Sequence, residues 1–449
     1  MTLQVTLAQL IDILAAQPLF IPSEKLQQGV QGITTDTRSL KAGEIFLALQ
    51  GEQFDGHRFV EMALQQGAIA TIVDHPLDTP LPQLQVQDTL KAYQRLGQWW
   101  RQQFQIPIIA ITGSVGKTTT KELVAAVLGT AGSVLKTAAN YNNEIGVPKT
   151  LLELTADHDY GVIEMGMRGS GEIAELTQIA CPDIGVITNV GTAHIGRLGS
   201  REAIANAKCE LLAQMPSESL AILNADNSLL IETAKTVWDG PLITYGLESG
   251  ELQGTLVDAQ TLVVEGMEFP LPLPGQHNAL NYLAALAIAR HLHLDLTPLQ
   301  AGLTLELPPG RARKLVLPQD VIILDETYNA GLESMQAALQ LLAQTPGQRH
   351  IAVLGPMKEL GDYAPQLHRQ VGQLVEQLHL DQLLILDTGS EGAALATGAN
   401  SVPTEQFTNH QDLIDYLQVH IQRGDRLLFK ASHSVGLNRV VDGISQLKA

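Results

Sequence analysis

Apolar and polar positions divide the 449-residue chain into three stretches. In residues 1–85, short apolar runs at 45–49 and 68–73 alternate with turn signals such as Lys41-Ala42-Gly43 and Phe54-Asp55-Gly56. This pattern predicts a small α/β unit, with the Thr-Pro-Leu-Pro of 79–82 as its exit linker. A helix over about 90–104 leads into the second stretch, 86–310. Apolar runs near 108–112, 133–137, 160–166, 184–190, 220–226 and 242–246 alternate there with helical segments. That alternation predicts a doubly wound, mainly parallel sheet. Residues 251–272 read as a β-hairpin excursion and 280–293 as an amphipathic helix. After Pro308-Pro309-Gly310 the third stretch, 311–449, repeats the alternation with strands near 321–325, 350–355, 382–387 and 426–430, a smaller Rossmann-like sheet. The fold class expected is therefore α/β in three domains.

Composition narrows the function. Hydrophobic residues make up 45% of the chain, enough for each unit to bury an interior. With 28 basic against 47 acidic residues the net charge is −19, which argues against general nucleic-acid or anionic-membrane binding. Any phosphorylated ligand must meet positive charge that is local. Cys181 and Cys209 fit neither a metal spacing nor a disulfide framework, so both are expected to be reduced thiols of a cytoplasmic protein. Residues 1–17 lack a basic leader and read as a short amphipathic element, and no apolar run reaches the ~18 residues of a membrane span.

The chemistry concentrates after the first strand of the second stretch, in IIAITGSVGKTTTKE, 108–122. An apolar, β-branched run breaks at Gly113; Ser114, Val115, Gly116, Lys117, Thr118 and Thr119 then open a helix. Successive backbone N–H groups and the helix dipole suit an anion there. Lys117 can reach outer phosphates and the Thr118 hydroxyl can hold Mg²⁺, although Ile111 stands where the usual loop has its first Gly. Glu164 ends the apolar run 160–163, where a carboxylate points into the ligand crevice and can share that Mg²⁺. Alone it reads more readily as an ordinary strand-end Glu. Further clusters are Asn140-Tyr141-Asn142-Asn143, the run 188–194 ending in His194, Lys208 on the next helix, Gly275-Gln276-His277-Asn278 with Asn281, Arg311, and the run from Asp325 through Tyr328 and Asn329. Taken singly, His194 is a loop histidine, Lys208 a solvated lysine, Asn142 and Asn143 turn residues, and Asn278 an N-cap.

As an ordered set these motifs resemble the Mur ligase family, the ATP-dependent amide-forming enzymes of bacterial cell-wall synthesis. The resemblance covers nearly the whole chain. It rests on the G-x-x-G-K-T-T loop, Glu164, His194, Lys208 and the H-N-x-x-N of 277–281. It also removes the difficulty at Ile111, since the family's loop lacks the outer Gly. Thr35-Asp36-Thr37-Arg38 followed by Phe54-Asp55-Gly56-His57 resembles the family's UDP-sugar-peptide domains. The runs 140–148, 325–330 and 354–361 resemble most closely the member that adds D-alanyl-D-alanine to UDP-MurNAc-tripeptide. Departures are Gly331-Leu332 where Asn-Pro is usual, Pro356, and His433 in place of Arg.

The resemblance implies a division into a UDP-MurNAc-peptide-binding domain (1–85), a central ATP-binding domain (86–310) and a C-terminal Rossmann-like domain (311–449). It implies ATP and Mg²⁺ as cofactors. Lys117, Glu164, His194 and Lys208 would be catalytic, with metal held by Thr118, Glu164, His194 and a carbamylated Lys208. ATP would contact residues 113–119 together with Asn278, Asn281, Arg311, Asp325, Tyr328 and Asn329. Asn278 and Asn281 would face the adenine. The UDP-substrate would contact Thr37, Arg38, Asp55, Gly56, His57, Asn140, Asn142 and Asn143. A monomer acting on small molecules is expected. Open alternatives are a related ligase adding a single amino acid, a folylpolyglutamate-type ligase, a P-loop small-molecule kinase and a non-catalytic nucleotide-binding module.

Overall fold

The computed structural model describes residues 5–51 and 54–445; the first four residues of the N-terminal element lie outside the described residues. Three larger sheets carry the fold. The first has five strands in the order Gln17–Leu19, Gln83–Gln85, Ala70–Val73, Ile45–Leu47 and Ile33–Thr34, parallel except at its first pair. The Thr-Pro-Leu-Pro stretch is a turn within this sheet and not the way out of it. The Thr71 N–H donates to Pro82 O at 3.0 Å, and the chain at once forms the inserted strand Gln83–Gln85.

The way out is the helix Thr89–Arg101, begun where Asp88 Oδ1 accepts the Lys91 N–H at 2.9 Å. Its apolar side joins two units in one continuous core: Leu7 and Leu10 lie on one flank, Ala110 and Ile163 on the other, with Leu96 and Trp100 between. Arg101 fixes the far end. It donates to the carbonyls of Ala180 and Cys181 and pairs with Asp183 at 2.8 Å, while Asp183 also accepts the Ile108 N–H at 2.7 Å.

The second sheet has nine strands. Ile108–Thr112 sits between Tyr160–Glu164 and Ile184–Ile187, parallel to both. The chain runs outward to Val134–Lys136, returns, and then crosses to the other side, so the order reverses beside Ile108–Thr112. A crevice opens at such a point beyond the carboxyl ends of the strands. The region read as one hairpin is three strands, Leu252–Leu256, Thr261–Val264 and Met267–Pro270, an antiparallel meander added to the sheet's edge. The helix Gln276–His291 differs from its reading too. It is buried nearly all round, because it packs between the helix Lys117–Leu128 and the strands from 220 to 256. Its alanine-rich sequence allows that close approach.

The third sheet orders Arg313–Leu317, Val321–Asp325, Asp425–Lys430, Arg349–Leu354, Gln382–Ile385 and Thr404–Gln406. The sequence pattern missed its two edges. The first, Arg313–Leu317, pairs antiparallel with Val321–Asp325, and the last is a polar Thr-Glu-Gln strand. Among the described residues no helix is long and apolar enough to cross a membrane. Cys209 is buried and Cys181 only partly so, both as free thiols.

The joining helix yields a stability test. A Cβ at Gly97 would lie 2.8 Å from the Pro148 Cα on the neighbouring helix, so a larger residue must push the two apart. Gly97→Val is expected to lower unfolding free energy by about 1–3 kcal/mol. The check is a lower denaturant midpoint at unchanged slope.

Candidate functional site

The loop after Ile108–Thr112 is held from three sides. Ser114 N–H donates to Asn189 O at 3.0 Å and Val115 N–H to Asn189 Oδ1 at 3.0 Å. The Thr188 hydroxyl and Asn189 Nδ2 both donate to Val115 O, at 2.6 and 3.0 Å. Gly191 N–H donates to Ser114 Oγ at 2.8 Å. A Cβ at Gly113 (φ 151°) would fall 1.9 Å from Thr188 Oγ1, and one at Gly116 (φ 85°) 2.6 Å from Asn281 Oδ1. Both glycines are therefore required by backbone conformation and by space. The hydrogen bonds of the two helix asparagines are spent inside the protein. Asn281 Oδ1 accepts the Thr120 hydroxyl at 3.1 Å, and Asn278 donates to Pro274 O at 2.8 Å. Gly275, not Asn278, caps their helix.

Charge gathers in front of this loop. Lys117 folds back, its ammonium donating to Gly113 O at 2.8 Å; burial lowers its pKa while Glu164 opposes the shift. Glu164 is 3% exposed, and its strand end is set by a 2.9 Å bond from its N–H to Thr137 Oγ1. Oε1 accepts Asn142 Nδ2 at 2.8 Å, and Oε2 is buried without a partner among the described residues. A buried carboxylate oxygen left bare is costly unless a cation meets it, so the site fits a hard dication. Thr118, also buried, follows Lys117 in the helix's first turn.

Lys208 is 1% exposed, and among the described residues no carboxylate lies within ion-pair reach of its ammonium. Burial first, and then Lys117, hold its pKa well below the usual lysine range. This setting differs from that of a solvated surface lysine. His194 sits in a left-handed turn (φ 65°), its pKa lowered by burial against the opposing pull of Glu359. Glu359 Oε2 lies 2.6 Å from His194 Nδ1.

The third sheet delivers its strand ends to the same place. Arg311 stacks on Tyr328 at 3.8 Å, with its Nε buried and unpartnered among the described residues. Asp325 is turned inward instead: its Oδ1 accepts the Thr327 N–H and hydroxyl at 3.1 and 2.6 Å. Asn329 Oδ1 accepts Ala330 N–H at 2.9 Å, and Asn329 O takes the Lys430 ammonium at 2.9 Å. Burial raises the Glu326 pKa and lowers that of Lys430; burial beside Lys430 pushes His277 down to about 4. A cleft of ≈ 1460 Å³ opens here, its wall including Asp36, Asn140, Lys117, Glu164, His194, Arg311 and Lys430, drawn from all three sheets' units; Lys208 and Asp325 are not in that wall.

The N-terminal motifs divide. Thr35 and Asp36 reach the cleft, whereas Thr37 and Arg38 are not in its wall. The Arg38 side chain is 88% exposed and grips Asp36 at 2.6 Å. Asp55, Gly56 and His57 also stand outside the wall. Asp55 caps a short helical turn, and Gly56 is wedged where a Cβ would lie 2.8 Å from Leu49 O. Asn140, Asn142 and Asn143 line the cleft, but Asn143 Oδ1 also accepts Gly146 N–H at 2.9 Å to start the next helix.

Two carboxylates at the junction escaped sequence reasoning. Glu333 accepts the Thr192 N–H at 2.7 Å and its hydroxyl at 3.2 Å, leaving no room for a side chain at Gly191. Glu359, with φ 64°, also accepts Gly196 N–H on its carbonyl at 3.1 Å. Both lie over a hundred residues from their partners, and no spacing announces such a pairing. Glu333→Ala should free the 190–199 loop by about 1–3 kcal/mol, the cost of orphaning bonds to a charged acceptor. Hydrogen exchange should quicken at Thr192 while strand Ile184–Ile187 keeps its protection.

Family models match along most of the chain: "Mur ligase family, catalytic domain" at 29–97, "Mur ligase middle domain" at 111–289 and "Mur ligase, glutamate ligase domain" at 310–433. A Synechocystis sp. protein named UDP-N-acetylmuramoyl-tripeptide--D-alanyl-D-alanine ligase is 60% identical, across 94% of this chain and 92% of its own. The crystal structure of MurF from Acinetobacter baumannii superimposes with TM-score 0.90 at 32% identity, covering 99% of both chains. A MurF ligase from Thermotoga maritima in complex with ADP gives TM-score 0.83 at 28% identity over 92% of this chain and 97% of its own. Identity of this extent across all three matched regions leads to one conclusion: the chain belongs to the Mur ligase family.

Proposed function

We propose that this chain joins D-alanyl-D-alanine to the terminal peptide carboxylate of UDP-MurNAc-tripeptide at the expense of ATP, giving UDP-MurNAc-pentapeptide, ADP and phosphate. The observation that carries the reading is a phosphate-ready loop and a half-satisfied Glu164 facing one cleft with residues of all three units in its wall. The activity printed for the 60%-identical relative supports the choice of substrates. The three units are assigned as residues 1–85 for the UDP-substrate, 86–310 for ATP and 311–449 for closing over both. A monomer is the expected state and the cytoplasm the expected setting for chemistry that consumes ATP.

The chain's own groups account for the reaction in two steps. The N–H groups at the helix start, Gly116 to Thr118, and the Lys117 ammonium orient the ATP phosphates in line with the peptide carboxylate, while those of Ser114 and Val115 hold the loop on Asn189. An oxygen of that carboxylate attacks the γ-phosphorus and ADP leaves, so the product is an acyl phosphate. The dipeptide amine then attacks the carbonyl carbon, the phosphate leaves, and the amine gives up a proton. Arg311 and Lys430 supply further positive charge from the third unit. Mg²⁺ would be held by Thr118 and Glu164, with a second site at His194 and carbamylated Lys208, and supplies Lewis-acid neutralisation of the moving phosphoryl charge. A P-loop kinase would have no use for a lysine buried near His194 without a carboxylate partner among the described residues.

Phosphate release is expected only when ATP, UDP-MurNAc-tripeptide and D-alanyl-D-alanine are all present. Equal turnover with a single amino acid in place of the dipeptide would assign the chain to a neighbouring ligase. Lys117→Ala should keep the fold, because the side chain bonds only loop carbonyls, and should lose at least ~100-fold in kcat, in line with removal of one charge-stabilising donor.

A further inference from the structure

We propose that His57, Asp74 and His75 form a binding site for a transition-metal dication of the Zn²⁺ class, outside the cleft and separate from its magnesium chemistry. The three side chains converge from two elements. His57 lies on the turn Gly56–Phe59, while Asp74 and His75 follow the strand Ala70–Val73. Their donor atoms lie within 4.8 Å of one another. Asp74 Oδ1 is 3.3 Å from His57 Nε2 and 2.5 Å from His75 Nδ1, and the two rings are 4.5 Å apart.

The surroundings prepare the donors. Asp55 Oδ1 takes His57 Nδ1 at 2.7 Å, which puts the ring proton on Nδ1 and turns the Nε2 lone pair toward Asp74. This carboxylate–imidazole arrangement orients a metal-binding histidine. Facing that lone pair is the Asp74 N–H at 3.3 Å, a long contact that an ion can displace. His57 is fixed by burial, whereas the His75 side chain is 57% exposed and can swing to complete the set. Without the ion, His75 Nδ1–H donates to Asp74; the ion takes the place of that proton. Two imidazoles and one carboxylate, with a solvent-facing side for water, select Zn²⁺, Co²⁺ or Ni²⁺ over Mg²⁺. The ion would tie the Asp55–His57 turn to the end of the first sheet's central strand, which gives the Phe-Asp-Gly-His run a role beside any substrate contact.

The test uses the full chain, stripped with chelator and titrated with Zn²⁺ by calorimetry in excess Mg²⁺, with Co²⁺ as a spectroscopic probe. One saturable Zn²⁺ site and a tetrahedral Co²⁺ visible band are expected. His75→Ala and Asp74→Asn should abolish both, and Asp55→Asn should weaken Zn²⁺ binding by about 10–100-fold. Zn²⁺ should raise the Tm of the parent chain and not that of His75→Ala. No saturable site, or one that survives His75→Ala unchanged, would overturn the proposal and leave adventitious binding among the 13 histidines.

Discussion

The fold turns on the fit between the loop Gly113–Gly116 and the strand end Thr188–Asn189. Asn189 satisfies the loop's N–H and C=O groups from the next strand, and Asn281 closes on it from a buried helix. A backbone fixed in this way needs no reorganisation when an anion arrives, which is the physical basis of electrostatic catalysis. The same packing draws Lys117 back onto the loop carbonyls and sets it opposite Glu164. The chain carries net charge −19, yet at this point it collects Lys117, Arg311 and Lys430. Each is buried or crowded by like charge, so an incoming polyphosphate relieves a cost that folding has already incurred.

The joining of units follows from this constraint. A small crevice on one sheet could bind a nucleotide, but it could not shield an acyl phosphate from water. Helix Thr89–Arg101 ties the first sheet to the second through a shared core, a rigid connection. The third sheet meets the second through carboxylates, Glu333 on Thr192 and Glu359 beside His194 and Arg197, and through the same apolar cluster, which also takes in Ile195, Leu332 and Leu360. The loop bearing His194 is therefore the natural coupling between nucleotide chemistry and the position of the third unit.

Much of this was legible in the chain itself. Strands buried on both faces of a parallel sheet leave continuous apolar runs, and those at 108–112, 160–164, 184–187 and 220–224 were readable for that reason. Edge strands carry no such signal: Thr404–Gln406 is polar, and Gln83–Gln85 hides behind two prolines. The site divided along similar lines. Lys117 and Glu164 stood out because their residue type and place on a helix start or strand end carry chemistry, whereas Lys208 was singled out only by the family resemblance. Glu333 and Glu359 did not, since they act through contacts made only when distant stretches meet. The asparagines read as ligand contacts are in part structural, because a buried amide must first satisfy its own hydrogen bonds.

The account's central claim is that the peptide carboxylate is phosphorylated in the cleft before the amine attacks. It is tested most directly with UDP-MurNAc-tripeptide carrying ¹⁸O in its terminal carboxylate. After one turnover with ATP and D-alanyl-D-alanine, mass spectrometry of the released phosphate should find one ¹⁸O per molecule formed from labelled substrate. Phosphate free of ¹⁸O, with the amide bond formed, would contradict the account.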